Sequence, residues 1–399
     1  MIDSASLSEG VESAPTGPLQ VASAIAGSTS IRLSLVLPTY NEAKNIAEIV
    51  RRLTTLLDEA LGDAYELIVV DDDSPDRTWE VAKGLKATFP KVRVMRRVGE
   101  RGLSSAVIRG WQIARGEVLA VIDADLQHPP EVAVQLWKGV EQGADLAVAS
   151  RHVEGGGVSD WSIARRILSR GAQLLGLLVL PSVVGRVSDP MSGFFMVRRS
   201  AIGGVVLHPL GYKILIEVLG RGSIRWIAEV PYVFRERAEG ESKVTSKLYA
   251  EYLGHLLRLR IARLPVDRFL RFALVGATGV LVDMGFLFGL SDPHTLGWGL
   301  TRSKIVAAEA AIINNFIWND AWTFRDVTKL QPRAGAKLGR FAKFQVICLA
   351  GLVINTALLN FQFNVLGVNR YLANAIAIAI VTLWNFWLNL KFGWRVTKP

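Results

Sequence analysis

Asp123-Ala124-Asp125-Leu126-Gln127 is the stretch of this chain best equipped for chemistry. Two carboxylates two residues apart, with a side-chain amide two further on, offer hard oxygen ligands. Such a donor set suits Mg²⁺ or Mn²⁺ better than zinc. A cation held by few protein ligands takes its remaining ligands from phosphate oxygens and water. A nucleotide sugar, whose leaving group is a diphosphate, calls for that chemistry. Taken alone, the same five residues also read as an acidic loop after a strand, so their neighbours must decide.

The elements that would position this stretch are legible around it. Val118-Leu119-Ala120-Val121-Ile122 reads as a buried strand leading into Asp123. Leu33-Ser34-Leu35-Val36-Leu37 reads as a first strand ending in Pro38-Thr39-Tyr40-Asn41-Glu42, and a helix follows with Asn41 or Asn45 as N-cap. Glu66-Leu67-Ile68-Val69-Val70 reads as a second, ending in Asp71-Asp72-Asp73-Ser74-Pro75-Asp76. Leu146-Ala147-Val148-Ala149 ends in Ser150-Arg151, where an arginine can pair with phosphate. Strand alternating with helix, with polar clusters at strand ends, predicts a doubly wound parallel sheet. Ligands of such sheets bind at the carboxyl ends of the strands. There is no G-x-G-x-x-G or Walker-type loop, which argues against a dinucleotide oxidoreductase or a P-loop ATPase.

The chain has 399 residues, a formal charge of +10 and 50% hydrophobic residues, enough for two domains. The hydrophobic excess lies after about residue 265. Four apolar stretches, Phe269–Leu290, Leu300–Trp318, Phe341–Leu366 and Tyr371–Leu390, approach or exceed the ~20 residues that cross a bilayer. Lys304, Glu309, Asn314 and Asn315 interrupt the second. Arg258, Arg260, Arg263, Arg268 and Arg271 precede the first, and Arg325, Lys329, Arg333, Lys337, Arg340 and Lys343 separate the second from the third. Lys391, Arg395 and Lys398 follow the fourth, so the positive-inside rule predicts a cytoplasmic N-terminal domain, middle loop and C-terminus. Asp283 and Glu309 fall inside spans, with Lys304 in reach of both, which marks functional candidates or polar contacts within the bundle. No zinc-finger or RNA-binding motif accompanies the basic charge, so a lipid headgroup surface is expected as partner and nucleic acid is not. The one cysteine, Cys348, permits no intrachain disulfide, and the scattered histidines predict no histidine metal site. Residues 1–30, rich in Ser, Ala, Gly and Pro, predict a flexible tail and not a signal peptide.

Two further segments read as basic amphipathic helices at headgroup level. Trp161–Leu180 mixes Arg165, Arg166 and Arg170 with leucines and isoleucines, and Lys247–Leu264 mixes Tyr249, Tyr252, Leu253, Leu256 and Leu257 with Arg258, Arg260 and Arg263. The competing reading is an ordinary amphipathic helix packed on the sheet.

Leu37-Pro38-Thr39-Tyr40-Asn41-Glu42, Asp71–Thr78, Gly102–Val107, Asp123–Glu131 and Asp189-Pro190-Met191-Ser192-Gly193-Phe194-Phe195 together resemble dolichyl-phosphate mannose synthases, inverting glycosyltransferases of family 2 with a GT-A fold. The resemblance spans roughly residues 31–265. The four-span remainder is similar to a GtrA-like membrane domain, through Asn314-Asn315-Phe316, Trp318-Asn319 and Trp322-Thr323-Phe324. The implied organisation is a tail over 1–30, a GT-A (Rossmann-like) α/β domain over 31–245, an interface helix over 246–265 and an all-α domain of four transmembrane helices over 266–399. The resemblance implies that Pro38, Tyr40 and Glu42 hold the nucleotide, with Val70 and Asp72 around base and ribose. Asp123, Ala124 and Asp125 would face the donor, Asp125 and Gln127 would ligate Mg²⁺ or Mn²⁺, and Lys213, Arg237 and Lys243 would contact the donor. The last two flank Gly240-Glu241-Ser242, a loop suited to a lid.

The acceptor implied is a dolichyl or polyprenyl phosphate, and the donor GDP-mannose. A phosphate monoester is already anionic near neutral pH, with a second pKa near 6, so no strong general base is required. Catalysis would rest on position and electrostatics, with Asp123, Asp125 and Arg151 as the catalytic set and Arg151, Arg165 and Ser169 on the acceptor phosphate. A UDP-glucose-dependent polyprenyl-phosphate glucosyltransferase is the runner-up. A processive polysaccharide synthase is disfavoured, because Arg225-Trp226 is preceded by Gly222 where a Q-x-x-R-W signature needs glutamine. The rival from another class is a protein that translocates a lipid-linked sugar.

Overall fold

The computed structural model describes residues 10–24, 30–158, 163–235, 246–262, 264–331 and 333–396, with the side chains of 163–169 and 246–250 outside that description. The chain divides into two compact units, Met1–Ala262 and Arg263–Pro399.

The described residues of the first unit form ten strands: β1 (Glu12–Ser13), β2 (Leu33–Thr39), β3 (Tyr65–Asp71), β4 (Val92–Arg96), β5 (Val118–Val121), β6 (Leu146–Ser150), β7 (Gly157–Val158), β8 (Phe195–Arg198), β9 (Ile227–Pro231) and β10 (Val233–Phe234). Eight form one sheet in the order β1-β4-β3-β2-β5-β8-β6-β9, and β7 pairs with β10. β2, β3, β5 and β6 are buried along their whole length. That is why they read as continuous apolar runs and not as alternating ones. Helices α1 (Ile46–Leu61), α2 (Thr78–Leu85), α3 (Leu103–Ile113) and α4 (Val132–Glu141) provide the crossovers between parallel strands. They bury apolar faces on both sides of the sheet, giving two cores: one around Trp111, Val107 and Phe195, the other around Leu35, Ile49 and Leu136.

One strand departs from the parallel pattern. β8 lies antiparallel between β5 and β6. The reversal brings residues 189–194, which lead into β8, to the same edge as the carboxyl ends of β2, β3, β5 and β6. The expected tail also needs correction over residues 10–24. β1 adds to the sheet edge beside β4, Gln20 bridges Val206, and Val21 is fully buried. A two-residue strand is held by main-chain hydrogen bonds, so Ser/Ala/Gly/Pro composition gave no sign of it.

Five more helices lie among the described residues of this unit: α5 (Ile163–Val179), α6 (Pro181–Val184), α7 (Arg199–Ile202), α8 (Ile214–Arg221) and α9 (Ser246–Ala262). α9 is tied to the body by three hydrogen bonds. Tyr252 donates to the Ala172 carbonyl at 3.1 Å, His255 Nε2 meets Glu217 at 2.7 Å, and Arg260 donates to the Val179 carbonyl. Leu256 and Leu259 are buried beneath it, while Leu257 and Ile261 stay exposed, as do Leu174 and Leu178 of α5.

The second unit is helical: α10 (Val266–Ser291), α11 (Leu300–Trp318), the short α12 (Arg325–Thr328), α13 (Ala334–Asn360) and α14 (Arg370–Leu388). The four long helices fall on the four expected spans. α10, α13 and α14 are long and apolar enough to cross a membrane. α11 is long enough but carries Arg302, Lys304 and Glu309. Asp283 accepts from Lys304 at 2.5 Å, and Gln345 donates to Glu309, so both carboxylates in the apolar band have polar partners within the bundle.

Candidate active site

The site is built from the carboxyl edge of the sheet. Val36 faces Val121 in the parallel β2–β5 register, so the chain leaves β2 at Thr39 beside the chain leaving β5 at Asp123. β3 ends alongside at Asp71 and β6 at Ser150.

The acidic run after β3 divides its work. Asp71 is buried and accepts from Thr39 Oγ at 2.9 Å, Ser74 N at 2.8 Å and Ser74 Oγ at 2.6 Å. Burial pushes its carboxyl up despite those bonds. Asp76 and Thr78, with Ser74, accept three successive main-chain N–H groups of the β2–α1 loop, those of Asn41, Glu42 and Ala43, each at 3.0 Å. This brace fixes Tyr40 and Glu42 where the sequence placed a nucleotide. Asp72 is committed elsewhere. Its Oδ1 accepts from Arg97 Nε at 2.6 Å and its Oδ2 from Gly102 N at 2.8 Å. Gly102 has φ +130°, which a side chain would strain. Asp72 therefore holds the loop entering α3, and burial raises its carboxyl too. Val70 is fully buried against Gly110 of α3, so its side chain belongs to the core and not to a ligand surface.

The Asp123–Gln127 turn is strained, as are the turns at Asn41, Asp73 and Arg77 of the same edge. Leu126 has φ +59°, a left-handed backbone that costs a leucine about 1–2 kcal/mol. The turn is stabilised by Gln127 N donating to Asp125 Oδ1 at 3.1 Å and by Gln127 Nε2 donating to the Arg235 carbonyl at 3.1 Å. The second bond uses the amide's donor end and leaves its oxygen as the acceptor end. Asp123 and Asp125 are half-buried, and Ala124 between them is buried. Among the described residues no three His, Cys, Asp or Glu side chains gather into a metal cage. Two carboxylates and an amide oxygen fit a hard cation that fills its shell with phosphate and water.

Two cations belong to the same edge of the sheet, and Lys213 feels the charge of Asp123. Arg151 donates to Asp189 through Nε at 2.6 Å and an Nη at 2.8 Å, and its main-chain N–H adds a third bond at 3.1 Å. Asp189 is fully buried. Burial alone would raise its carboxyl, but the Arg151 bonds and charge outweigh that and hold it below the usual range. Lys213 donates to the Met191 carbonyl at 3.2 Å and lies 4.0 Å from the Tyr212 ring centre. Desolvation, and then the Arg151 charge, pull its pKa down to about 7.

Sequence reasoning gave no role to Asp189, Gly193, His128, Tyr232 or Phe234. A Cβ on Gly193 would sit 2.6 Å from Asp123 Oδ2, so glycine there makes room for the carboxylate. His128 is buried, stacked on Tyr232 at 5.3 Å and edge-on to Phe234 at 5.2 Å. Desolvation and the Arg151 charge lower its pKa to about 3, so it stays neutral. The D-P-M-S-G-F-F and L-Q-H-P-P motifs held Asp189, Gly193 and His128, but their contacts, with Arg151, Asp123, Tyr232 and Phe234, cross 38 residues or more of sequence. Of the other expected site residues, Arg237 and Lys243 lie outside the described residues. Arg165 and Ser169 lie on α5, and their side chains are likewise outside the description.

Comparisons agree with this architecture. Residues 34–204 match glycosyl transferase family 2, and residues 271–394 match the GtrA/DPMS transmembrane domain. A dolichol-phosphate mannosyltransferase of Pyrococcus furiosus is 42% identical over 364 residues, 91% of this chain and 99% of its own length. The dolichol-phosphate mannosyltransferase of Saccharomyces cerevisiae is 34% identical over 61% of this chain and 92% of its own. Among solved structures, Mycobacterium tuberculosis glucosyl-3-phosphoglycerate synthase aligns at 23% identity and TM-score 0.44, over 61% of this chain and 87% of its own. The chain belongs to the dolichol-phosphate mannosyltransferase family of enzymes, with a family 2 glycosyltransferase domain and a GtrA/DPMS transmembrane domain.

Proposed function

We propose that this enzyme moves mannose from GDP-mannose to a dolichyl or polyprenyl phosphate, with inversion, giving polyprenyl phosphate mannose and GDP. The observation that carries the reading is the gathering of two charge sets at one sheet edge. Asp123, Asp125 and Gln127 follow β5, Arg151, anchored by Asp189, follows β6, and Lys213 feels the charges of both Arg151 and Asp123. A diphosphate there would meet a cation site, the fixed Arg151 charge and a lysine that it would keep protonated.

In this reading Asp125 and Gln127 hold Mg²⁺ or Mn²⁺, and the bound cation would neutralise the departing diphosphate. Asp123 faces the donor sugar in the space left by Gly193. Tyr40 and Glu42 stand on the nucleotide side, with Pro38 at the strand end. Asp72 acts through the Arg97–Gly102 loop it holds. Arg151 orients phosphate, with Arg165, Ser169, Arg237 and Lys243 as further contacts. The exposed Leu174, Leu178, Leu257 and Ile261 support α5 and α9 as the surface that meets the bilayer. The Lys/Arg distribution supports a cytoplasmic catalytic domain and C-terminus.

The test is turnover in detergent with a polyprenyl phosphate and either GDP-mannose or UDP-glucose, with and without Mg²⁺ or Mn²⁺. Lipid-linked sugar formed from GDP-mannose and dependent on the cation is expected. Product from UDP-glucose alone would replace the donor assignment, and binding without product would replace the enzymatic one.

A further inference from the structure

The second unit contains the same helical hairpin twice. Arg268, Phe269, Arg271, Phe272, Val275 and Gly279 of α10 recur as Arg340, Phe341, Lys343, Phe344, Ile347 and Gly351 of α13, each 72 residues on. Asn315, Phe316, Asn319, Phe324 and Arg325 at the end of α11 recur as Asn385, Phe386, Asn389, Trp394 and Arg395 at the end of α14, each 70 residues on.

Burial follows the same register. Phe272, Val275 and Gly279 are the buried positions of α10, and their equivalents Phe344, Ile347 and Gly351 are buried in α13 with Arg340. Ser303, Ala307 and Phe316 are buried in α11, and their equivalents Ala373, Ala377 and Phe386 in α14. Each second helix ends in a π-turn, Asn319–Thr323 and Asn389–Gly393, closed by the same bond. Phe324 N donates to the Asn319 carbonyl and Trp394 N to the Asn389 carbonyl, both at 2.9 Å. Within each hairpin the glycine admits the asparagine: a Cβ on Gly279 would collide with Asn315, and one on Gly351 with Asn385.

Contacts between the hairpins come in reciprocal pairs. Phe269 and Phe272 pack edge-on against Phe386, with ring centres 5.2 and 5.6 Å apart. Their equivalents Phe341 and Phe344 pack against Phe316 at 5.0 and 5.9 Å. Phe324 and Trp394, equivalent to each other, stack face to face at 4.2 Å and 10°. Residue i meeting j′ while i′ meets j is the signature of a two-fold interface.

We infer that the membrane domain is a tandem duplication of one two-helix unit, whose copies enter the membrane in the same direction about a pseudo-two-fold axis passing by Phe324 and Trp394. The consequence concerns α11. By composition only three helices among the described residues of this unit are apolar enough to span, and an odd count would put the two ends of the unit on opposite faces. As the counterpart of α14, α11 must cross with α10. The loops at 292–299 and 366–369 then share one membrane face, and residues 324–333 and the end of α14 share the other. This deepens the sidedness proposed above and rests on it only for which face is cytoplasmic. Its measurement reads labelling and not turnover, so it fails or stands apart from the donor assignment.

The experiment starts from a Cys348→Ala variant, which removes the only native cysteine. Single cysteines are then placed at His294, Leu330 and Val368, and membrane vesicles of known orientation are treated with an impermeant maleimide. His294→Cys and Val368→Cys should label from one face and Leu330→Cys from the other. His294→Cys and Leu330→Cys labelling from the same face would overturn the inference, because α11 would then not cross. A second readout tests the repeat itself. Gly279→Ala and Gly351→Ala should lower the Tm by similar amounts, while Gly276→Ala, whose Cβ meets open space, should leave it unchanged. A loss at only one of the two equivalent glycines would overturn the duplication.

Discussion

Arg151 and Asp189, 38 residues apart in sequence, form a two-pronged ion pair at 2.6 and 2.8 Å with Asp189 fully buried. The carboxylate fixes the guanidinium plane, and the plane fixes where a phosphate can be met. Lysine cannot reproduce that fork. Arg151→Lys should therefore fold and lower kcat by 10²-fold or more. Asp189→Ala, which strands a buried cation, should cost about 3–5 kcal/mol of stability. Thermal unfolding and steady-state rates check both. An Arg151→Lys enzyme with full kcat would refute the phosphate role.

Asp125→Ala tests the cation site. Asp125 is half-buried and its side chain accepts from Gln127 N, so its removal loosens the turn and takes no apolar group from the core. The variant should keep its Tm within a few degrees and lose cation-dependent activity. Direct Mn²⁺ binding, followed by electron paramagnetic resonance on the donor-free protein, should weaken in parallel. Unchanged Mn²⁺ affinity would place the cation elsewhere.

Gly193→Ala probes the space beside Asp123. The new methyl would start 2.6 Å from Oδ2, too close for any real contact, so the carboxylate must move. Catalytic groups displaced by about 1 Å lose on the order of 10²-fold in rate. A fall in kcat with KM nearly unchanged is expected, and wild-type kcat would show that Asp123 does not act from this position.

Lys213, as a donor contact, should make donor binding depend on pH. Its pKa in the free enzyme is pulled down to about 7 by desolvation and by the Arg151 charge. An anionic diphosphate stabilises the protonated form, so the bound pKa is higher than the free one and binding takes up a proton. Affinity is fully present below pH 7. It declines as pH rises from 7 toward the bound pKa, by up to about tenfold per pH unit. Calorimetry in buffers of different ionisation enthalpy should detect the uptake. Lys213→Arg, charged throughout, should flatten the profile. His128, held near 3, contributes no transition in this range.

Much of the site was legible because its residues end strands. Thr39, Asp71, Asp123 and Ser150 each close an apolar run, and parallel register brings such ends to one edge. What sequence could not show is which acid does what. Asp71, Asp72 and Asp76 look alike in a row, yet one braces β2, one holds Arg97 and Gly102, and one caps the β2–α1 loop. Those partners lie 25 to 33 residues away, beyond any local pattern. The antiparallel β8 was hidden for a similar reason: a four-residue apolar run carries no direction. In the membrane domain the 72- and 70-residue offsets were present in the sequence, but the repeat is dominated by common apolar residues. Burial is what separates the conserved faces of the two hairpins from their lipid-facing surfaces.

The duplicated hairpins differ in buried charge at one pair of equivalent positions, and that difference makes the final prediction. Asp320 in the first hairpin corresponds to Leu390 in the second. Asp320 accepts from Arg340 at 2.9 Å and from the Trp394 indole N–H at 3.0 Å, and all three are buried. The bond thus runs from one hairpin to two sites on the other, beside the Phe324–Trp394 stack. A carboxylate on one side only breaks the pseudo-symmetry and fixes how the hairpins pair. Asp320→Leu restores the symmetry but strands Arg340, at a cost of about 3–5 kcal/mol. Removing both charges, Asp320→Leu with Arg340→Leu, should recover most of that loss, since replacing a buried pair with packed apolar residues is often neutral. A double-mutant cycle by thermal unfolding in detergent measures the coupling. Additive losses would mean the pair contributes nothing as a pair, and that aromatic packing alone sets the hairpin arrangement.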